Sequence, residues 1–269
     1  MRVSARTRVF ALLGDPIGHS LSPRIQNAAF QAAGLDAIYI ALQPTAETLA
    51  GTMTALVRGG GGGNVTVPFK EVAARVAGIR SERVDRLGAA NVFGSIDGAL
   101  QLGNSDVDGI LAALDALGST SRSWLVLGTG GSARAVVGAA AERGASLAIR
   151  SRSKERGGAF ADWAASLGVT SADPAECGSV INATPLGLAE DDPYPLNPAE
   201  IAPASAVLDL TYTVTGTTRW VRECRARKLE ATDGREVLLA QGAAAWSCWF
   251  PKQAPPLEVM RAALHGRLG

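Results

Sequence analysis

The sequence predicts an α/β fold in two domains, and three observations carry that prediction. Short apolar runs alternate with helical segments in the N-terminal part, as at Val9 to Leu13, Ala37 to Leu42 and Gly63 to Val67. That alternation is the pattern of a mostly parallel sheet with crossover helices. A second series of such runs, from Ser123 to Leu210, opens with a glycine-rich turn placed directly after a strand. Finally, 269 residues are enough for two ordinary domains, and 47% hydrophobic content supplies their cores.

The elements follow in order. Val9 to Leu13 reads as a buried strand ending at Gly14-Asp15-Pro16. Ser22-Pro23 opens a helix that runs to Ala33 and stops at Gly34. Ala37 to Leu42 is the second strand, Thr45 to Arg58 a helix, and Gly63 to Val67 the third strand. The glycine run Gly59 to Gly63 reads as a flexible turn before it. Asp97-Gly98, between Ala90–Gly94 and Ala99–Gly103, is a hairpin turn that adds an antiparallel strand. Val107 to Leu117 is an amphipathic helix bridging to the second domain. There, Ser123 to Leu127, Ala145 to Ile149, Ser179 to Asn182 and Ala206 to Leu210 are strands, with helices at Ala135 to Arg143 and Glu155 to Leu167. Helices at Arg235 to Phe250 and Pro256 to Leu264 return to the first domain. The expected division is 1–105 plus 236–269 for one domain and 106–235 for the other.

Composition excludes several functions. A formal net charge of +1 argues against a nucleic-acid arm or an acidic tail. The cysteines, Cys177, Cys224 and Cys248, are scattered and form no CxxC, so neither a disulfide framework nor a metal site is expected. A reducing, cytoplasmic setting fits them best. No long apolar run precedes Gly14, so neither a signal peptide nor a membrane span is expected.

Asn64-Val65-Thr66-Val67-Pro68-Phe69-Lys70 draws attention as chemistry. Asn64 and Thr66 share one face of a strand, Pro68 stops its pairing, and Lys70 sits just beyond its end or in the first turn of a helix. A neutral donor–acceptor pair beside one cation suits a hydroxylated substrate undergoing proton transfer. A strand ending in a surface lysine is the alternative reading.

Gly128-Thr129-Gly130-Gly131-Ser132-Ala133 follows a strand and opens a helix. Gly128 permits a tight turn, Gly130 and Gly131 admit a pyrophosphate to the backbone N–H groups, and the helix N-terminus favours its charge. This reads as a Rossmann-like dinucleotide site, with a glycine-rich corner that holds no ligand as the alternative reading. The next strand ends in Ile149-Arg150-Ser151-Arg152-Ser153-Lys154, with no acid to hold a ribose 2′-hydroxyl. Arg152 can instead make paired hydrogen bonds to a 2′-phosphate, aided by Ser151 or Ser153, which predicts NADP over NAD.

Gly14-Asp15-Pro16-Ile17-Gly18-His19-Ser20-Leu21-Ser22-Pro23, with Asn27 and Phe30, resembles the N-terminal signature of the shikimate dehydrogenase family. Asn64 to Lys70, Gly88 to Asn91, Gly103 to Gly109, Gly128 to Ala133, Asn182 to Gly187, Asp209 to Tyr212 and Gly234 to Gln241 match in order. The resemblance therefore spans nearly the whole chain. It implies a two-domain enzyme that reversibly reduces 3-dehydroshikimate to shikimate with NADPH. It implies Lys70 and Asp106 as the catalytic pair, and Ser20 and Ser22 on the substrate carboxylate. Asn64, Thr66, Asn91, Tyr212 and Gln241 would surround the ring and its hydroxyls. Gly128 to Ala133, Ser151, Arg152, Ser153, Thr184, Leu210, Gly234 and Glu82 fall where the family contacts the cofactor.

The chemistry suits those residue types. Reducing a ketone places negative charge on its oxygen, and a cationic Lys70 stabilises that charge and delivers the proton. His19 reads as a packing or loop-orienting residue. Some positions depart from the commonest family pattern: Gln26, Val92, Ser105, Pro185, Val214 and Gly242. Gln26 and Gly242 resemble members that accept quinate, so a broader quinate/shikimate or aminoshikimate enzyme is the second reading. A non-catalytic dinucleotide- or metabolite-binding regulator is the third, and the presence of both Lys70 and Asp106 argues against it. The expected partner is the small-molecule substrate, with no nucleic acid and no membrane; a homodimer is the assembly considered.

Overall fold

A computed structural model describes residues 3–202 and 205–266. The chain divides into two compact units, Met1–Ser105 with Leu238–Gly269, and Asp106–Val237.

The first unit begins with strand β1 (Arg8–Leu13), helix α1 (Ser22–Ala32), strand β2 (Ala37–Leu42) and helix α2 (Leu49–Arg58). Strand β3 (Gly62–Val65), helix α3 (Lys70–Ala73), strand β4 (Ile79–Arg80) and helix α4 (Glu82–Leu87) follow, then the hairpin β5 (Val92–Ile96) and β6 (Ala99–Gly103). The sheet order is β2-β1-β3-β5-β6-β4. β1 pairs in parallel with β2 and β3, and β4 with β6, whereas β5 is antiparallel to both its neighbours. Pro23 starts α1, and Gly34 ends its turn at φ +66°. Asp97 and Gly98 both have positive φ, as a two-residue hairpin turn requires.

Alternation along β1 divides the core. Ala11 and Leu13 face Leu49, Met53, Val57, Phe93 and Leu102, the cluster that α2 covers. Phe10 faces the other way into an aromatic group, with ring centroids 5.0 Å from Phe30 and 5.1 Å from Trp249. Trp249, Trp246 and Phe250 come from the end of the chain, which is how the C-terminal helices rejoin this sheet.

Only Gly59 and Gly60 of the glycine run form a turn; the other three do not. Gly61 is buried, and Gly62 and Gly63 lie within β3 in the middle of the sheet. A Cβ on Gly61 would collide with the carbonyl oxygen of Val9, and one on Gly63 with that of Ala11. A Cβ on Gly62 would lie 2.7 Å from the Phe93 carbonyl oxygen and 3.1 Å from Trp249 Nε1. The small residues let neighbouring backbone and aromatic rings approach. We therefore expect Gly61→Ala to cost about 2 kcal/mol through overpacking, measured as a lower urea midpoint. A midpoint equal to that of the unsubstituted protein would mean that β1 shifts freely.

The bounds of β3 and α2 also differ from the sequence reading. β3 ends at Val65 rather than Val67, although the Thr66 N–H still reaches the Leu13 carbonyl at 2.8 Å. α2 starts at Leu49 because Thr45 to Thr48 form a turn closed by the Thr45 N–H on Thr48 Oγ1 at 2.9 Å.

The second unit contains α5 (Asp106–Ala116), β7 (Ser123–Leu127), α6 (Gly131–Arg143), β8 (Ser146–Arg150), α7 (Lys154–Ser166) and β9 (Ser179–Asn182). It continues with β10 (Ala206–Asp209), α8 (Arg219–Ala226) and β11 (Glu230–Thr232). Helix α9 (Gly234–Trp249) carries the chain into the C-terminal segment, where α10 (Leu257–Leu264) packs beside α1. The sheet is wholly parallel, in the order β11-β10-β9-β7-β8. The adjacent strands β7 and β9 therefore connect onward to opposite sides, to β8 and to β10, which is the topological switch point where a ligand crevice forms. α8 and β11 have no place in the sequence reading. Their polar, arginine-rich segment conceals Trp220, Val221 and Cys224, which pack on β9 and β10 in one core.

Candidate active site

In the first unit, β3 ends two residues before Val67-Pro68, and the turn closes through the Phe69 N–H on the Thr66 carbonyl at 2.9 Å. Lys70 is then the first residue of α3. Its carbonyl accepts the Ala90 N–H at 2.9 Å, tying this helix to the segment that carries Asn91. The Lys70 residue is only 9% exposed, so it is not a surface lysine.

The polarity of the neighbouring amides follows from groups that can act in one sense only. The Ser105 N–H can only donate, and it meets Asn91 Oδ1 at 2.7 Å. Asn91 Nδ2 consequently donates, to Gln241 Oε1 at 2.9 Å and to Ser105 Oγ at 3.2 Å. Gln241 Oε1 is thereby the acceptor of its amide, and its Nε2 the donor. Similarly, the Asn91 carbonyl can only accept, and it receives Asn64 Nδ2 at 3.1 Å. Asn64 Oδ1 then accepts the Tyr39 hydroxyl at 2.8 Å. Asn64, Asn91 and Gln241, far apart in sequence, form one polar network. Thr66 is half-buried beside it in the chain.

Ser20 and Ser22 stand at the start of α1, where the Ser22 N–H donates to Ser20 Oγ at 3.2 Å. No acid occupies the first turn, so this end favours an anion. His19 is exposed, which removes it from any packing role. Gln26 donates Nε2 to the Gly242 carbonyl at 3.1 Å, and a Cβ on Gly242 would come within 3.0 Å of that nitrogen. The two departures from the commonest family pattern are thus sterically coupled. Glu82 is an exposed residue of α4, 3.9 Å from Arg86.

In the second unit, Asp106 opens α5 and is 7% exposed. Gly128, Thr129 and Gly130 connect β7 to α6, and Gly131, Ser132 and Ala133 form the first turn of α6. Gly128 has φ +109°, and a Cβ there would lie 3.0 Å from both the Ala183 carbonyl oxygen and Thr184 Cγ2. Glycine therefore serves conformation and close approach together. Gly130 is the N-cap residue, no side chain caps the helix, and a Cβ on Gly130 would meet nothing within 4 Å. Backbone donors beside open space fit a dinucleotide pyrophosphate.

Ser151, Arg152 and Ser153 follow β8. Arg152 is exposed, and Ser153 caps α7 by accepting the Arg156 N–H at 3.2 Å. Arg150 is 3.4 Å from Glu200. Among the described residues no His, Cys, Asp and Glu group could hold a metal, and no helix is long and apolar enough to cross a membrane.

Thr184, Leu210 and Tyr212 lie on the loops after β9 and β10, and these loops meet at Asp209. Asp209 is wholly buried. Its Oδ1 accepts Asn182 Nδ2 at 2.8 Å, the Thr211 N–H at 3.0 Å and the Thr211 hydroxyl at 2.9 Å. Its Oδ2 accepts the Thr218 hydroxyl at 2.8 Å. Asn182 Oδ1 accepts the Thr184 N–H and hydroxyl, at 3.0 and 2.7 Å. Gly234 closes the far side, its N–H on the Thr211 carbonyl at 2.8 Å. The sequence reading gave Asp209, Tyr39 and Ser105 no role. The available signal for Asp209 was an acid ending an otherwise apolar strand, Ala206-Val207-Leu208-Asp209.

Burial pushes the Asp209 carboxyl up to about 6, against the opposing effect of its hydrogen bonds. The folded state therefore holds a proton that the unfolded chain has released, and stability falls as pH rises through this range. The interval is about two pH units, or roughly 3 kcal/mol. Relative to Asp209→Asn, the unsubstituted protein should gain that much as pH falls from 7 to 4. Urea titrations of both across that range measure it; a constant difference would contradict the burial effect. The cysteine thiols are also pushed up by burial, Cys224 to about 12 and Cys248 to about 11, so neither is an activated nucleophile.

Comparison with known proteins agrees with these motifs. A model of the shikimate dehydrogenase substrate-binding domain matches residues 12–93, and one of the shikimate 5′-dehydrogenase C-terminal domain matches 234–265. An NADP-dependent shikimate dehydrogenase of Methanothrix thermoacetophila is 36% identical, over 97% of this chain and 98% of its own length. That of Halobacterium salinarum is 35% identical, over 97% and 99%. Among solved structures, shikimate 5-dehydrogenase from Thermus thermophilus in complex with NADP(H) and shikimate is similar, with a TM-score of 0.85. It is 33% identical, and the match covers 97% of this chain and 99% of the other.

Proposed function

The chain belongs to the shikimate dehydrogenase family, and we propose that it interconverts 3-dehydroshikimate and shikimate with NADP in the way its residues set out. The observation that carries this reading is the Asn64–Asn91–Gln241 network beside the buried Lys70 segment. Fixed amide polarity suits a ring whose hydroxyls must be matched one by one, because an unmatched buried donor penalises an analogue.

We assign Ser20 and Ser22 to the substrate carboxylate, as hydroxyl donors at the start of α1. Asn64, Thr66, Asn91, Tyr212 and Gln241 are assigned to the ring and its hydroxyls. Lys70 gives its proton to the carbonyl oxygen as charge develops there, and takes it back in the oxidative direction. Asp106 is its carboxylate partner. NADPH, when bound, supplies the hydride. Gly128 to Ala133 would hold its pyrophosphate, Arg152 with Ser151 and Ser153 its 2′-phosphate, and Thr184, Leu210 and Gly234 its remaining length.

The substrate-binding division is 1–105 plus 236–269, supported by family-model matches at 12–93 and 234–265. The cofactor division is 106–235, supported by the glycine turn after β7. We place the enzyme in the cytoplasm, on three free cysteines that suit a reducing compartment. A homodimer is the proposed assembly, to be read by sedimentation.

The test is oxidation of shikimate with NADP, followed by the rise in NADPH absorbance. Quinate and aminoshikimate form parallel arms, because the Gln26–Gly242 pair favours a broader substrate range as the second reading. Turnover of none of the three would overturn the enzymatic function.

A further inference from the structure

One carboxylate ties together three pieces of the second unit. Asp209 ends β10 and bonds both ends of the loop that follows, Thr211 near its start and Thr218 at its close. Through Asn182 it also reaches the loop after β9, where Thr184 donates twice to that same amide. Asn182 Nδ2 further donates to the Leu186 carbonyl at 3.1 Å. The turn inside the longer loop is closed locally, by the Thr213 hydroxyl on the Gly216 carbonyl at 2.6 Å. Arg235 adds an outer tie, Nη2 to Thr217 Oγ1 at 3.1 Å, and is itself held by Asp233 at 2.8 Å.

We propose that Asp209 is a positioning residue: its two oxygens clasp the 183–188 and 210–218 loops, setting Thr184, Leu210 and Tyr212 for hydride transfer. This rests on the dehydrogenase reading above. The clasp works by geometry rather than by charge. Four donors converge on two oxygens, and no cation is among them. An anion at this depth is otherwise unfavourable, so its retention calls for a use. Arg152, on the loop after β8, lies outside the clasp, whereas the Gly128 turn abuts it at Ala183 and Thr184. Loss of Asp209 should therefore disturb reaction geometry more than cofactor affinity, since small misplacement near the reacting atoms has large kinetic effects.

The experiment compares Asp209→Ala, Asp209→Asn and the unsubstituted protein, each shown to be folded by circular dichroism. Asparagine keeps an acceptor at the Oδ1 position and can donate to the Thr218 hydroxyl. Asp209→Ala should lower kcat at least about 10-fold while the KM for NADP changes by less than about 3-fold. Asp209→Asn should recover most of that loss. Hydrogen exchange should accelerate at 183–188 and 210–218 in Asp209→Ala alone. Unchanged kcat in folded Asp209→Ala overturns the proposal, as does an asparagine variant as impaired as the alanine one. Should the alanine variant not fold, Thr211→Val removes one donor and is expected to lower kcat with the same split. If the unsubstituted protein turns over no substrate, the dehydrogenase reading fails by itself. The exchange measurement still decides the clasp, which unchanged protection would refute.

Discussion

Replacing Lys70 by alanine should lower kcat about 10³-fold in both directions, with the shikimate KM changed by only a few-fold. A positioned acid–base group contributes 10²- to 10⁴-fold of a rate, and Lys70 is the cation assigned to the oxygen where charge develops. Its setting supports a large value. The residue is 9% exposed, and its backbone is held by the Ala90 and Ala74 N–H groups. Truncation leaves that backbone in place and removes only the ammonium and its stem. A loss in kcat with retained KM identifies an interaction made in the transition state. If kcat remained within about 3-fold of the starting value, proton transfer would have to be reassigned. Because α3 is short and bonded at both ends of its first turn, circular dichroism should show no change.

The second large effect is expected at Arg152. Arg152→Ala should reduce the preference for NADP over NAD by about 10- to 100-fold, the loss of one or two hydrogen bonds to a charged group. Arg152 is exposed on the loop after β8. Arg150 stands 3.4 Å from Glu200, so it is already matched with an acid, and Ser153 caps α7. The effect should shrink as ionic strength rises, because an exposed charge is screened. Steady-state KM values for both cofactors at two salt concentrations measure it. Equal weakening of NADP and NAD would remove Arg152 from the 2′-phosphate.

Much of the fold was legible because its signals are local. Ala37–Leu42, Ser123–Leu127 and Ser179–Asn182 are strands with the bounds that their apolar runs predict. Pro23 and Gly34 bracket α1 through backbone preferences intrinsic to those residues. α8 was not legible, since its two core-facing residues and one cysteine are scattered among charged neighbours. β4 and β11 are two and three residues long, too short to show any periodicity.

Motif chemistry, too, was readable one residue at a time. The sequence alone determined the fold class, the glycine turn after β7, the cations after β8 and the residue types at the candidate site, because turn chemistry and residue type act over a few positions. Tertiary structure alone decided what Gly61 to Gly63 are for: they admit the Val9, Ala11 and Phe93 carbonyls and the Phe93 ring. It also decided which way each site amide points, since Asn91 and Gln241 are 150 positions apart and Asn64 and Asn91 are 27 apart. The Asp209 clasp likewise joins Asn182 across 27 positions. A hydrogen bond has polarity only when both partners are known, and folding is what brings those partners together.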